Sequence, residues 1–192
     1  MTYQIFAFII LAAFYAVYLG KMFSQKKRGI RTDQIARGKK PRKVFIIEAM
    51  MKLATYSVVM VEVFSIALNT FILPSVIRVI GLCLSGAGSL IFAVAVWTMR
   101  DSWRAGIPEQ DKTEMVTDGI YQYSRNPAFL GFDLMYIGLV LTFFNGILLV
   151  VTLLAVIMLH LQILQEEAFL STVFGYSYLN YKSQVYRYLG RK

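Results

Sequence analysis

Two polar segments of the chain lie beside long apolar runs and carry residue types suited to binding chemistry. The first is GIYQYSRNPAFLG, residues 119–131, in which Arg125 and Asn126 stand just before an apolar run. The second begins with Glu166 and Glu167, just past another apolar run, and continues into FGYSYLNY. Charged and amide side chains next to hydrocarbon cost free energy unless they are partnered or hydrated. Each segment is therefore either a charged membrane boundary or one wall of a binding site.

Together the two segments would supply a cation, a carboxylate pair, aromatic rings and a helix N-terminus next to lipid. Pro127 after Asn126 favours a helix that begins there, with Asn126 as the N-cap. Arg104, in the preceding polar segment, is a second candidate cation. This combination suits a zwitterionic cofactor and an amphiphilic substrate, held in position rather than attacked by a strong base.

Several catalytic classes lack their motifs in this chain. The sequence contains no GxxxxGK[ST] phosphate loop, no dinucleotide-type glycine-rich turn after a strand and no GxSxG elbow. Cys83 and His160 are the only residues of their types, and both stand in apolar runs. We therefore expect no metal site, and we interpret His160 as a hydrogen-bonded structural residue.

The elements that must position these residues are long apolar helices. The 192 residues are 57% hydrophobic, with a mean hydropathy of +0.57, whereas soluble domains are about 45–50% apolar. Crossing a bilayer takes about 20 mostly apolar residues, and five runs qualify, at residues 3–22, 53–73, 79–97, 128–144 and 147–164. The predicted fold class is an all-α integral membrane protein with about five transmembrane helices and a cytoplasmic C-terminal helical segment.

Charge is distributed unevenly along the chain. Ten of the 20 Lys and Arg lie in residues 21–43, against a net charge of +9. Because this basic cluster flanks an apolar helix, the positive-inside rule places it in the cytoplasm, and no nucleic-acid partner is expected. The N-terminus then lies outside, and the polar segments 99–125 and 166–192 are cytoplasmic. We divide the chain into a three-span N-terminal region, 1–98, and a C-terminal region, 99–192, of loop, helical hairpin and tail.

Residues inside the helices add three expectations. Gly81, Ser85 and Ser89 recur every four residues, a spacing that favours close helix packing within the chain. Glu62, near the middle of the second span, is either a functional carboxyl or a structural one that faces the bundle. Gly175 is expected to break the last helix.

Polar loops give two further expectations. Glu48 and Lys52 stand at i,i+4 and are expected to pair on one helix face. The mixed-charge segment 99–119 is interrupted by Pro108 and Gly119, and we interpret it as a small cytoplasmic subdomain.

From about residue 103 to 189 the chain resembles the isoprenylcysteine carboxyl methyltransferase family, and more distantly the phospholipid N-methyltransferases. The family pattern is a GxY…RHPxYxG block, a hydrophobic hairpin and then EExxL…FGxxYxxYxxxV. This chain has GIYQYSRNPAFLG, a hairpin and EEAFLSTVFGYSYLNYKSQV. Order, spacing and intervening hydropathy agree. One position departs, because Asn126 stands where the family has His, and Asn does not titrate near neutral pH.

The resemblance implies S-adenosylmethionine as methyl donor and a lipophilic or lipidated acceptor that enters from the bilayer. The residues it assigns to the cofactor are Asn126, Pro127, Phe129, Leu130, Glu166, Glu167, Tyr178 and Tyr181. It assigns Arg125, with Arg104 as the second candidate, to orient an anionic acceptor. In this interpretation Glu166 and Glu167 bind ribose hydroxyls or the ammonium group, and the tyrosines close over the cofactor.

The sequence leaves alternatives open for the acceptor and for the class of protein. A carboxylate of isoprenylcysteine type is favoured, because it is already ionised at pH 7 and needs no general base. A phospholipid amine would first have to lose a proton. A membrane reductase on a related helical scaffold is the alternative from another class. A transporter normally needs polar groups along several spans, and only Glu62 and His160 lie deep in this chain.

Overall fold

The computed structural model describes residues 1–107 and 114–192, so Pro108 lies outside the described residues. The described residues form five α-helices: α1 (Thr2–Lys27), α2 (Arg42–Ala67), α3 (Ser75–Thr98), α4 (Pro127–Thr142) and α5 (Gly146–Gln184). Two short 3-10 turns, Arg100–Ser102 and Gly119–Gln122, lie between α3 and α4. The described part of the chain has no β-sheet, only two isolated bridges. The all-α prediction is confirmed.

Four of these helices, α1, α2, α3 and α5, are long and apolar enough to cross a membrane. α4 is apolar but has only 16 residues, which gives a rise of about 24 Å against a hydrocarbon core of about 30 Å. By length and composition, the described helices therefore support four spans where the sequence predicted about five. α4 nonetheless belongs to the bundle, because it is buried at intervals from Pro127 to Thr142.

α3 and α4 form the most extensive helix pair of the described structure. A Cβ added to Gly81 would lie 2.5 Å from the carbonyl oxygen of Gly138, and one added to Gly88 would lie 2.6 Å from the amide nitrogen of Met135. The hydroxyl of Ser85 donates across the same interface to the carbonyl oxygen of Met135, at 3.2 Å. The small residues of α3 therefore serve close packing within the chain, as predicted.

α5 is long but bent. Gly175 has φ 51 and ψ −126 inside the helix, a conformation that side chains rarely adopt. The predicted break is confirmed as a kink within α5 rather than as its end. Beyond the kink, the Tyr181 hydroxyl donates to the carbonyl oxygen of Tyr121 at 2.6 Å, which ties the end of α5 to the turn that precedes α4.

The polar segments at the ends of α1, α2 and α3 meet. Gln25, near the end of α1, is fully buried and donates to the carbonyl oxygen of Trp103 at 3.2 Å. Glu48, near the start of α2, accepts from the backbone amide of Ile107 at 2.9 Å. The α1–α2 loop and the segment after α3 therefore pack into one polar layer at the same end of the bundle.

The expected pair between Glu48 and Lys52 is not formed. Glu48 is fully buried and pairs with Lys40 at 2.6 Å, while it also accepts from the backbone amide of Ala36 at 2.7 Å. Lys52 instead lies 3.6 Å from Asp33. A buried carboxylate needs several donors, and the basic loop supplies them by folding over the start of α2.

Candidate functional site

A cavity of about 480 Å³ lies within the bundle and is lined by residues of all five helices. This volume is in the range of small-molecule sites in proteins. The two regions into which we divided the chain both contribute to its wall, because α3 packs on α4 and α2 packs on α5.

Most of the predicted site residues lie on the wall of this cavity: Arg104, Arg125, Asn126, Phe129, Glu166, Tyr178 and Tyr181. Three do not line it, namely Pro127, Leu130 and Glu167. Pro127 is buried as the first residue of α4. Asn126 occupies the predicted N-cap position, but its side chain makes no capping hydrogen bond and points into an ion-pair network.

That network, the Glu167 hub, consists of Glu167, Arg125, Arg187, Lys182 and Asn126. Arg125 Nη2 donates to Glu167 Oε1 at 2.8 Å, and Arg187 Nη2 donates to Oε2 at 3.0 Å. Asn126 Nδ2 donates to Oε1 at 3.1 Å. Lys182 Nζ lies 3.9 Å from Oε2. Protein donors therefore satisfy both oxygens of this buried carboxylate.

The hub joins the start of α4 to the end of α5. Arg125 Nη1 also donates to the carbonyl oxygens of Lys182 and Val185, each at 3.0 Å. Its hydrogen bonds to Glu167 raise the pKa of Arg187, so that guanidinium stays charged. Three cations surround one carboxylate, and the excess positive charge favours an anion at the adjoining cavity wall. Arg125 is the hub cation that also lines the cavity.

Residues after α5 close the outer side of the hub. The backbone amide of Arg125 donates to the carbonyl oxygen of Tyr186 at 3.1 Å, and the backbone amide of Gly190 donates to the carbonyl oxygen of Tyr123. The hydroxyl of Tyr188 lies 2.6 Å from Nδ1 of His160. His160 is therefore a hydrogen-bonded partner of the C-terminal segment, and it does not line the cavity.

Glu166, the neighbour of Glu167, faces the cavity and has a single described hydrogen bond, from Gln162 Nε2 at 3.0 Å. The hydroxyl of Tyr178 also lines the cavity, is buried, and has no partner among the described residues. Buried polar groups in native proteins are nearly always paired. Glu166 and Tyr178 therefore mark a position where the cavity would receive a polar ligand. Burial raises the pKa of Tyr121, which lines the same cavity and stays neutral.

Aromatic residues from the first four helices line the rest of the cavity. The ring of Phe92 lies 5.1 Å from that of Phe132 and 6.3 Å from that of Trp103. Tyr15 and Tyr18, on α1, also line it. This aromatic wall was not predicted from the sequence, because no site residue was expected on α1–α3. The available cue was the i,i+3 spacing of Tyr15 and Tyr18, which puts both rings on one face of α1.

A comparison with protein families identifies the family of this chain. Residues 76–177 match the family model described as phospholipid methyltransferase, a match over just more than half of the chain. The chain belongs to the phospholipid methyltransferase family. A search of curated proteins found no match to it. The match runs from the start of α3 to just past Gly175, so it includes α3, although the sequence resemblance began only after that helix.

This family comprises membrane methyltransferases, which generally use S-adenosylmethionine. The matched part of the chain includes Arg104, Arg125, Asn126, Glu166 and Glu167. Tyr178 and Tyr181 lie just beyond it, as do Lys182 and Arg187 of the hub. The cavity residues fit the methyl donor chemically, because Glu166 is an acceptor for hydroxyl or ammonium groups and Tyr178 has a hydroxyl without a partner among the described residues.

Proposed function

We propose that this protein is an integral membrane methyltransferase that uses S-adenosylmethionine to methylate a lipophilic acceptor, most favourably a carboxylate of the isoprenylcysteine type. The observation that carries the proposal is the composition of one cavity. Its wall combines Arg125, Glu166 and the unpartnered Tyr178 hydroxyl with an aromatic surface set among membrane-spanning helices. A zwitterionic donor and an apolar acceptor need these two kinds of wall side by side.

S-adenosylmethionine would supply a methyl group on a sulfonium that already carries the driving force. Glu166 would accept hydrogen bonds from ribose hydroxyls or from the ammonium group. Tyr178 and Tyr181 would cover the ligand from α5. Glu167 lies behind the wall, and we assign it the role of positioning Arg125 and Asn126 rather than of contacting the ligand.

The acceptor carboxylate would lie near Arg125 and Arg104, the two arginines that line the cavity. A carboxylate is ionised at pH 7, so alignment with the methyl group is the main requirement. Glu167 holds the Arg125 guanidinium at 2.8 Å, which keeps that cation in place before the acceptor arrives. The acceptor would reach the site laterally, between helices, from the bilayer.

A phospholipid amine is the second candidate acceptor, and the name of the matched family favours it. An amine must lose a proton before it can accept a methyl group. Glu166 is a cavity carboxylate without an ion pair among the described residues and is the available proton acceptor. We place this site on the cytoplasmic side, with the N-terminus outside, because residues 21–43 carry half of the Lys and Arg.

Two measurements on the detergent-purified protein test the proposal. Calorimetry with S-adenosylhomocysteine should show saturable binding that weakens about tenfold in Tyr178→Phe, the loss expected for one hydrogen bond. Incubation of labelled S-adenosylmethionine with lipid extract should then label a lipid product. Alkaline treatment should release that label as methanol, as it does from a methyl ester.

The outcomes separate the candidates. Label that withstands alkali on an amine headgroup would select the phospholipid amine instead. Absence of S-adenosylhomocysteine binding, combined with binding of a nicotinamide cofactor, would overturn the methyltransferase proposal in favour of a reductase.

A further inference from the structure

Glu62, on α2, is fully buried, and neither of its carboxyl oxygens has a hydrogen-bond partner among the described residues. Two other buried charged groups of the described bundle, Glu48 and Arg78, are well partnered, whereas Asp133 Oδ1 has no partner among the described residues. Glu48 accepts from Lys40 and from two backbone amides, and Arg78 donates to Thr142 and Asn69. Because a carboxyl without partners is costly inside a membrane bundle, Glu62 has the character of a functional group.

Glu62 lies one helical turn beyond the cavity wall. Met51, Thr55 and Val59 line the cavity from α2 and recur every four residues, so they share one face of the helix. Glu62 is the next residue along that face, about 16 Å from Met51 by helical rise. Side chains in a helix lean toward its N-terminus. The Glu62 carboxyl therefore leans toward Val59 and the cavity.

Two tyrosines bring hydroxyl groups to the same place from other helices. Tyr15 on α1 and Tyr136 on α4 both line the cavity, and their hydroxyl oxygens are 3.4 Å apart. The Glu62 carboxyl lies within electrostatic reach of both. Two cavity-lining tyrosines, from α1 and α4, and a buried carboxyl of α2 one helical turn beyond the cavity wall therefore lie in one region of the bundle.

We propose that Glu62, Tyr15 and Tyr136 form a second polar subsite, which binds a hydroxyl or amine of the lipid acceptor at a distance from the group that is methylated. A carboxyl oxygen accepts a hydrogen bond, and a tyrosine hydroxyl can both donate and accept. An alcohol or amine would satisfy the Glu62 carboxyl, whereas a plain hydrocarbon chain would leave it unpartnered. The inference rests on the proposed function only in placing the methylated group at the Arg125 end.

The subsite would act as a ruler. An acceptor gains affinity only when its second polar group is separated from its carboxylate by the distance between Arg125 and Glu62. Straight-chain carboxylic acids of increasing length, each with and without a terminal hydroxyl, are suitable probes. Their binding would be measured by displacement of a fluorescent fatty acid from the purified full chain.

The terminal hydroxyl should tighten binding about tenfold within a narrow range of chain lengths, as one hydrogen bond allows. Glu62→Leu should abolish this gain, and Glu62→Gln, which keeps the shape and an accepting oxygen but replaces the carboxyl O–H with an amide, should reduce it to about threefold. Ser57→Ala, on α2 but away from the cavity wall, is the control and should keep the full gain.

Calorimetry with S-adenosylhomocysteine on the same samples separates the two proposals. Glu62 variants that retain wild-type affinity are folded at the cofactor wall, so loss of the hydroxyl gain then belongs to the subsite. Equal binding of plain and hydroxylated acids at every length, a full gain in Glu62→Leu, or no binding of any acid overturns the inference. A wild-type protein that shows the hydroxyl gain but no S-adenosylhomocysteine binding contradicts the proposed function alone.

Discussion

Glu166 and Glu167 are neighbours in sequence, and exchanging each for Gln should have opposite consequences. Glu167 holds Arg125, whose side chain is only 5% exposed. Removing one partner of a buried ion pair costs about 3–5 kcal/mol. Arg187, the other arginine of the hub, is about a third exposed, so water compensates part of its loss. We therefore expect Glu167→Gln to lower the free energy of unfolding by about 3 kcal/mol.

Glu166→Gln removes much less from the fold. Glu166 has one described hydrogen bond, from Gln162, and a neutral hydrogen bond contributes about 1 kcal/mol. Its carboxylate, however, faces the cavity. We expect this variant to unfold within about 1 kcal/mol of the wild type and to bind S-adenosylhomocysteine at least about tenfold more weakly.

Thermal unfolding in detergent, followed by circular dichroism, measures the first effect. For a chain of this size 1 kcal/mol corresponds to about 2–4 °C, so Glu167→Gln should lower Tm by about 6–12 °C. Calorimetry well below the lower Tm measures the second effect. If Glu167→Gln unfolds like the wild type and loses the ligand, Glu167 contacts the ligand and its assignment as a positioning residue is wrong.

Three further predictions concern the elements that position the site. Gly88→Ala should lower the free energy of unfolding by about 1–3 kcal/mol, because the new Cβ would clash with the backbone of α4. Gly86→Ala, which would have only Ile10 nearby at 4.0 Å, should not destabilise the protein, and thermal unfolding of both variants tests this difference. Gly175→Ala should lower the free energy of unfolding by about 1–3 kcal/mol, because a side chain strains the backbone conformation at the kink of α5. The variant should also bind S-adenosylhomocysteine more weakly in calorimetry, and unchanged affinity would contradict this prediction. Lys40→Met should lower the free energy of unfolding by about 3–5 kcal/mol, because it leaves the buried Glu48 carboxylate without its cationic partner. In the same unfolding assay Lys52→Met, which removes a more exposed ion pair, should change the free energy of unfolding by no more than about 1 kcal/mol.

Local patterns were enough to predict the helices and their junctions. Asn126 and Pro127 stand at the predicted start of α4, and Gly175 interrupts α5 as expected, because each depends on backbone preferences of a few residues. The predicted number of spans, about five, exceeds the four described helices of spanning length for a physical reason. The apolar run 128–144 is long enough on paper, but Phe143 and Phe144 lie beyond the end of α4, so the helix itself is shorter than the run.

The opposite environments of Glu166 and Glu167 could not be predicted from the sequence. Adjacent residues of a helix point about 100° apart, and hydropathy does not tell which direction faces a cavity. The answer depends on the C-terminal segment, which folds back and brings Arg187 to Glu167. The aromatic wall from α1–α3 was missed for a similar reason, because each ring alone is typical of an ordinary membrane helix.

Asn126 gives the hub a property that a His at this position would not. Three cations already surround Glu167, and a His at this position would add a fourth positive charge whenever it gained a proton near neutral pH. The Asn126 amide donates to Glu167 at 3.1 Å without carrying charge. The hold on Arg125 therefore does not depend on a proton at residue 126. The same exchange removes a titrating base from the cavity wall, where Asn126 lies. A carboxylate acceptor needs no such base, whereas an amine would then depend on Glu166, so the substitution favours the carboxylate among the two proposed acceptors.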